Sequence, residues 1–174
     1  MHADVDRMQE RRRPRRLRIL VCASEEAAGR LNRALVGHDL TYLGSSEEAL
    51  SALREGRFDL VILGMSFDEW RALEFLERLR ASPALAHVPV AAIRGARRPS
   101  VINPDSFDLP ARLLDARDVI DFAAIPNNPS GQEEIRRRIV AASLPRTVSE
   151  PGRNEADWTG RLRRWMRSLS RRSA

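Results

Sequence analysis

The side chains that most often carry catalysis or bind metals are few in this chain and lie far apart in the sequence. The histidines, His2, His38 and His87, have no Cys, His or carboxylate neighbours at the spacing of a metal site. No phosphate-binding glycine loop and no nucleophile elbow occurs. The single cysteine, Cys22, lies in the apolar stretch LRILVC, where a small buried hydrophobe is expected. We therefore predict no enzyme, no metal and no cofactor.

The stretch FDLVILGMSFDEW, 58–70, is the segment around which the chain is organised. Its apolar run over 60–63 predicts a strand buried on both faces, and the run stops at Gly64. Asp68 offers a carboxylate to cap the helix that follows, where apolar residues recur at helical spacing. Ligands of open α/β sheets bind at the carboxyl ends of strands. A site is therefore expected near Gly64, a residue with no side chain for chemistry.

Strand and helix patterns alternate five times along the chain. Four more apolar runs predict strands over 17–22, 40–43, 88–93 and 119–125. Ser45 with Glu48, and Ser130 with Glu133, are spaced as capping boxes at helix starts. Pro110 suits the first turn of a short helix. This alternation predicts an α/β fold with a doubly wound, five-stranded parallel sheet.

Charge and composition divide the chain into four parts. We expect a disordered basic arm over 1–16, a folded domain over 17–143, a polar linker over 144–154 and an amphipathic basic helix over 155–172. Residues 1–18 hold seven Arg against three acids, and residues 154–174 hold six Arg against two. The net charge of +6 therefore comes from the ends of the chain. No secretory signal pattern and no bilayer-length apolar run is present, so we expect a cytoplasmic protein.

The predicted terminal helix carries one apolar stripe surrounded by arginines, formed by Trp158, Leu162, Trp165 and Leu169. The stripe could pack on the folded domain or on a second copy as a homodimer, or dock into a partner groove. It could also insert into an anionic membrane surface. The basic arm near the start is a weak signal for nucleic-acid binding, because it lacks interleaved aromatic residues. These alternatives stay open at the level of the sequence.

Several stretches of the folded domain resemble the receiver domain of bacterial two-component response regulators. They are LRILVCASEEA, GHDLTYLGSSEEALSALREGRFDLVILGM, VPVAAIRGA and VIDFAAIP, and the resemblance covers residues 17–143. It implies a flavodoxin-like sheet with strand order 2-1-3-4-5. It also implies a place in a two-component or phosphorelay-type signalling pathway.

The residues with which receivers accept a phosphoryl group are missing at the matching positions. In that family, an acidic pair after the first strand holds Mg²⁺ and an Asp at the end of the third strand accepts the phosphoryl group. These positions fall on Ala23 and Ser24, and on Gly64. The hydroxyl and lysine that hold the phosphoryl oxygens fall on Arg94 and Ile125. The resemblance thus implies a degenerate receiver, or pseudo-receiver, with the phosphoacceptor position lost at Gly64.

Other residues near the emptied pocket have alternative roles. Glu25 is a single carboxylate, which makes a poor Mg²⁺ site, and it suits a helix N-terminus better. Phe122 matches an aromatic position that changes rotamer in the family, although an edge-covering strand residue is the plainer interpretation. Arg94 could bind Glu25 or Asp68 and lock the crevice, bind an anionic partner, or point to solvent. Pro126, after Ile125, matches a position that is often a cis proline.

From these observations we expect a non-catalytic signalling protein. It would act by phosphorylation-independent protein–protein interaction with other signalling proteins. Its interaction residues would include Phe122 and the terminal apolar stripe. The alternative is a peripheral binder of anionic membrane or nucleic acid that uses the basic terminal segments, with the domain as a carrier.

Overall fold

The computed structural model describes residues 15–95 and 105–145. The predicted domain falls almost entirely within these ranges. Nearly all of the predicted basic arm, most of the linker and the whole terminal helix lie outside the described residues, and so do Trp158, Leu162, Trp165 and Leu169.

Five strands form one parallel sheet in the order β2-β1-β3-β4-β5. The strands are β1 (Arg18–Cys22), β2 (Asp39–Tyr42), β3 (Leu60–Gly64), β4 (Val90–Arg94) and β5 (Asp118–Asp121). This order and the parallel pairing confirm the predicted doubly wound sheet. Strand β3 lies at the centre with all five residues buried, as its continuous apolar run predicts.

Within the described residues, six helical segments connect and flank the strands: α1 (Glu25–Ala34), α2 (Ser46–Glu55), α3 (Phe67–Trp70), α4 (Ala72–Ala81), α5 (Asp105–Leu113) and α6 (Pro129–Ser143). None of the described helices is both long and apolar enough to cross a lipid bilayer. Each connection returns the chain to the same end of the sheet, so the carboxyl ends of all five strands share one edge.

Alternate residues of each strand enter two separate cores, one on each face of the sheet. Leu20 and Leu63 pack on one face with buried residues of α2, α4 and α5. Ile19 and Ile62 pack on the other face with α1 and α6. Cys22 is fully buried, and burial raises the pKa of its thiol to about 12. The prediction of a small buried hydrophobe at Cys22 is confirmed.

The helix-capping predictions have mixed outcomes. Ser45 caps α2 by accepting a hydrogen bond from the Glu48 backbone N–H at 3.3 Å, as predicted. The cap proposed at Ser130 is wrong. The N-cap is Asn128, two residues earlier, and its side chain accepts from the Gly131 backbone N–H at 2.9 Å.

Two element boundaries also differ from the prediction. Helix α5 begins at Asp105 and contains Pro110 in its interior, so Pro110 does not start the helix. Strand β5 ends at Asp121, four residues before the predicted end at Ile125. The extended apolar run after β5 is a turn instead, because the chain must reverse there to enter α6.

Candidate functional site

The carboxyl end of β3 is closed against the carboxyl end of β1. Gly64 is buried, and a Cβ atom at this position would lie 3.1 Å from Ala23 Cα and 3.2 Å from Ala23 Cβ. It would also lie 3.4 Å from the Cys22 carbonyl oxygen. These separations are tighter than ordinary carbon–carbon contacts, so even an alanine side chain would displace β1 or its turn. Gly64, which the resemblance matches to the phosphoacceptor, is therefore closely packed against the residue after β1.

The residues after β1 do not fit a Mg²⁺ ion. Ala23 is partly buried, Ser24 and Glu25 are exposed, and Glu25 lies in the first turn of α1 as predicted. Ser24 occupies the N-cap position, and within the described chain its side chain makes no cap hydrogen bond. No group of three or more His, Cys, Asp or Glu side chains in residues 15–95 and 105–145 is placed to hold a metal. Mg²⁺ is usually held by one or two carboxylates, and among Ala23, Ser24 and Glu25 only the exposed Glu25 has one.

Arg94 forms ion pairs with two carboxylates on different elements. Its Nη1 lies 3.2 Å from Asp108 Oδ2 on α5, and its Nη2 lies 2.5 Å from Asp121 Oδ2 at the end of β5. The Arg94 side chain is 19% exposed. The predicted contact with Glu25 or Asp68 is thus wrong, and so is the prediction that Arg94 points to solvent. Asp108 and Asp121 reach Arg94 because α5 and the end of β5 lie beside the end of β4, an arrangement that the sequence pattern does not specify.

The acidic partner Asp121 is held in its charged form. Burial by itself raises the pKa of Asp121, but hydrogen bonds from Arg94 and from the backbone N–H of Ala123 outweigh this effect. The pKa of Asp121 consequently lies below its ordinary value. The ion pair therefore persists at neutral pH.

The turn after β5 is held by Arg30 of α1. The Arg30 guanidinium donates to the Phe122 carbonyl, to the Ile125 carbonyl at 2.8 Å and to the Pro126 carbonyl at 3.2 Å. It also stacks over the Phe122 ring, 4.9 Å from the ring centroid. Ile125, which the resemblance matches to the family's lysine, is partly buried. The Ile125–Pro126 bond is trans, so the expected cis proline is wrong.

Phe122 directly follows the edge strand β5, and its side chain is buried. Its side chain is 2% exposed and packs in the core between the sheet, α1 and α6, with Ile135 and Ile139 among its neighbours in that core. With Arg30 on its ring, Phe122 is enclosed in this structure. It therefore cannot contact a partner without a rearrangement of the turn.

The turn also requires a glycine at the start of α6. A Cβ atom at Gly131 would lie 1.8 Å from the Pro126 carbonyl oxygen and 3.0 Å from Ile125 Cγ2. Glycine is therefore needed for close approach of the turn to the helix. Together, Arg30 and Gly131 fix the segment that would carry the lysine in a receiver.

Asp68 caps a helix, but not the one predicted. Its carboxylate accepts a hydrogen bond at 3.1 Å from the backbone N–H of Ser46, in the first turn of α2. Hydrogen bonds from the Ser46 hydroxyl and backbone N–H place the pKa of Asp68 below its ordinary value. Asp68 and Glu69 have φ angles of +48° and +56°, so they lie in the left-handed region, and Asp68 cannot act as the N-cap of α4.

Four residues of this edge were missed by the analysis of the sequence: Arg30, Asp108, Asp121 and Gly131. The arginine-to-carbonyl and arginine-to-carboxylate contacts span up to 96 residues, and nothing in local spacing indicates them. Gly131 does carry a signal, because a glycine inside a predicted helix often reflects close packing.

The fold has many counterparts among solved response regulators. A response regulator from Thermotoga maritima has a TM-score of 0.54 at 19% identity, with 72% of this chain and 98% of that chain covered. The chemotaxis response regulator CheY4 of Vibrio cholerae has a TM-score of 0.54 at 16% identity, covering 71% and 98%. The phosphorylated cyanobacterial phytochrome response regulator RcpA has a TM-score of 0.54 at 22% identity, covering 71% and 90%.

At these identities the likeness concerns the fold. No family model matches the chain, and no curated protein matches it. The described residues have the fold of response regulator receiver domains, as the resemblance implied.

Proposed function

We propose that this protein is a non-catalytic pseudo-receiver that acts in signalling by protein–protein interaction, without accepting a phosphoryl group. The observation that carries the proposal is the packing of Gly64 against Ala23. The position that the resemblance matches to the acceptor has no side chain, and a Cβ atom there would lie 3.1 Å from Ala23 Cα, so the neighbouring chain would have to shift by a few tenths of an ångström. A receiver scaffold without its chemistry retains surfaces through which it can bind other signalling proteins.

The remaining positions of the pocket support the same proposal. Arg94 stands at the hydroxyl position and binds two carboxylates of its own chain. Ile125 stands at the lysine position, and Arg30 binds its carbonyl group. These contacts are made within the chain, so the edge is fixed without phosphorylation.

The surface proposed for binding is formed by the edge strand β5 and the two helices that contact it, α5 and α6, because β4 is buried within the sheet. The terminal segment 155–172, with its stripe of Trp158, Leu162, Trp165 and Leu169, is proposed as a second contact. Arg138 joins β5 to α6 by a two-pronged ion pair with Asp118, at 2.7 Å and 2.5 Å. The face is thus held as a rigid unit, which reduces the entropy lost on binding.

Titration with beryllofluoride, which mimics a phosphoryl group, in the presence of Mg²⁺ tests the proposal. We expect the amide ¹H–¹⁵N spectrum of the full chain to stay unchanged, while a receiver that carries its aspartates responds in parallel. A saturable shift of amides near Gly64 and Asp68 would overturn the proposal, because it would reveal an acceptor carboxylate.

Partner capture on the full chain separates the two contacts. Proteins retained on wild type are compared with those retained on a variant in which Trp158, Trp165 and Leu169 are serine. Retention of a specific signalling protein by both, with or without beryllofluoride and Mg²⁺, is the expected result. If salt-sensitive binding to anionic vesicles or DNA is the only interaction and the variant loses it, the anionic-surface alternative replaces the proposal.

A further inference from the structure

Arg94 connects three elements at this edge, two of which, β4 and β5, are also paired by backbone hydrogen bonds. It lies at the end of β4, and its two terminal nitrogens bind a carboxylate of α5 and a carboxylate at the end of β5. Asp108 and Asp121 are 28% and 31% exposed, so neither is fully solvated. Such partly buried, charge-assisted hydrogen bonds are stronger than ion pairs in open solvent.

The arrangement makes Arg94 hard to replace. Two carboxylates converge on one guanidinium, and the second oxygen of Asp108 is buried with no hydrogen-bond partner among the described residues. Without the guanidinium, two negative groups would remain close together, and one of them would be partly desolvated. Both like-charge repulsion and loss of solvation then favour movement of α5 away from β5.

The opposite end of α5 is attached by a different arginine. Arg80 of α4 donates to the Leu114 carbonyl at 3.0 Å and to the Asp115 carbonyl at 3.2 Å, immediately after α5 ends. Phe107 and Ala111, on α5 itself, are buried in the core. Helix α5 therefore has a polar attachment at each end, and the attachment to the sheet edge near its start depends on Arg94.

We infer that Arg94 is a positioning residue that holds the first half of α5 against the ends of β4 and β5. It thereby keeps the surface of α5 in one arrangement with no phosphoryl group present. That surface includes Leu109, next to Asp108 in the chain and 47% exposed. The use of this surface by a partner rests on the proposed function, whereas the attachment of α5 by Arg94 does not.

Hydrogen exchange of the full chain, followed by mass spectrometry, tests the inference. In Arg94→Gln we expect exchange in peptides covering 105–113 to rise by about tenfold, with α1 and α6 unchanged. Asp108→Asn, which weakens only the α5 attachment, should raise exchange in the same peptides by a smaller factor. Arg71→Gln, which removes an exposed pair with Glu74 on α4, is the control and should leave 105–113 unchanged.

The double variant Arg94→Gln with Asp108→Asn separates positioning from general loss of stability. Removal of one carboxylate relieves the repulsion, so the double variant should exchange more slowly over 105–113 than Arg94→Gln alone. If Arg94→Gln does not fold, Asp108→Asn and Arg94→Lys supply the comparison, since a lysine keeps the charge but cannot bridge both carboxylates. Exchange that is unchanged over 105–113, or raised equally across the chain, would overturn the inference.

The same experiment distinguishes this inference from the proposed function. Exchange is measured again with beryllofluoride and Mg²⁺. If these ions change the hydrogen exchange of the wild-type chain, the result contradicts the proposed function. The increase in exchange caused by Arg94→Gln without the ions would still support the inference. If Arg94→Gln leaves hydrogen exchange over 105–113 unchanged, the result contradicts only the inference about Arg94.

Discussion

The carboxylate of Asp68 accepts a hydrogen bond from the backbone N–H of Ser46, so a residue of the turn after β3 caps the helix that follows β2. The bond joins two connections at the carboxyl edge of the sheet. It also explains why Asp68 keeps a left-handed backbone, since the bond and the buried Phe67 hold the turn in place. A carboxylate that is engaged in this way is a poor substitute for the phosphoacceptor that we propose is missing.

Replacement of Asp68 tests the cap. Asp68→Ala should lower the free energy of unfolding more than Glu69→Ala, measured by urea denaturation. Both changes place alanine at a left-handed position, but only the first removes the acceptor for Ser46. Asp68→Asn keeps an acceptor oxygen and tolerates the left-handed backbone, so it should retain most of the stability. Equal losses in Asp68→Ala and Glu69→Ala would show that the cap contributes nothing.

Two helical glycines provide an internal comparison. Gly131→Ala should cost about 3 kcal/mol of unfolding free energy, because its Cβ would overlap the Pro126 carbonyl. Gly29→Ala in α1 should stabilise the protein by about 0.5–1 kcal/mol, because alanine favours the helix and the nearest atom outside the helix backbone lies 3.8 Å away. Thermal or urea unfolding of both variants measures the difference. A tolerated alanine at Gly131 would mean that the turn after β5 is not held as described.

The Arg30 contacts with the same turn can be removed separately. Arg30→Met keeps most of the side-chain length but loses the bonds to the carbonyls of Phe122, Ile125 and Pro126, and should cost about 2 kcal/mol. Arg33→Met is the matched control, since the exposed Arg33 bonds only to Asn127 at 3.2 Å among the described residues. We expect the control to stay within about 0.5 kcal/mol of wild type. Comparable losses of unfolding free energy in the two variants would show that the Arg30 contacts do not stabilise the turn after β5.

The pattern of successes and failures in the sequence analysis has a physical basis. The sheet could be predicted because buried strands such as β3 consist of continuous apolar runs. The Ser45 cap could be predicted because its partner lies three residues away. Asp68 was assigned to the wrong helix because its partner Ser46 is 22 residues distant in sequence. A local capping rule cannot distinguish a carboxylate that caps its own helix from one that caps a neighbour.

The candidate site also has a part that the sequence predicts and a part that depends on tertiary structure. The proposed loss of the phosphoacceptor rests on one position of the sequence, Gly64, whereas the close approach of Ala23 depends on how β1 and β3 pair. The partners of Arg94 could not be predicted, because Asp108 and Asp121 reach it only once α5 and β5 are placed. Long arginine side chains have many reachable partners, and tertiary structure selects among them.

His38 predicts a pH dependence of stability. Its Nδ1 accepts a hydrogen bond from the Leu17 backbone N–H at 3.1 Å. Burial, and then repulsion by Arg136, lower the pKa of His38 from 6.5, against the opposing effect of Asp39. The unfolded chain therefore binds the proton first. The stabilisation is therefore complete above the pKa that His38 has in the unfolded chain. It is lost as the pH falls from that value towards the lower pKa of His38 in the folded protein.

The measurement compares urea unfolding at about pH 7.5 and about pH 5.5. His38→Asn keeps an acceptor near the Nδ1 position without a titrating ring, so it should lose less stability between these values than wild type. His87→Asn changes an exposed histidine and should behave as wild type does. An unaltered pH dependence in His38→Asn would exclude His38 as its source.

The measurement that bears most directly on the absence of phosphoryl chemistry is the intact mass of the full chain after incubation with acetyl phosphate and Mg²⁺. A response regulator that retains its acceptor aspartate serves as the positive control. We expect the control to gain one phosphoryl group and this chain to gain none, because Gly64 offers no carboxylate and is closed by Ala23. Stoichiometric gain of a phosphoryl group, mapped to Asp68 or another carboxylate at this edge, would contradict the proposed function.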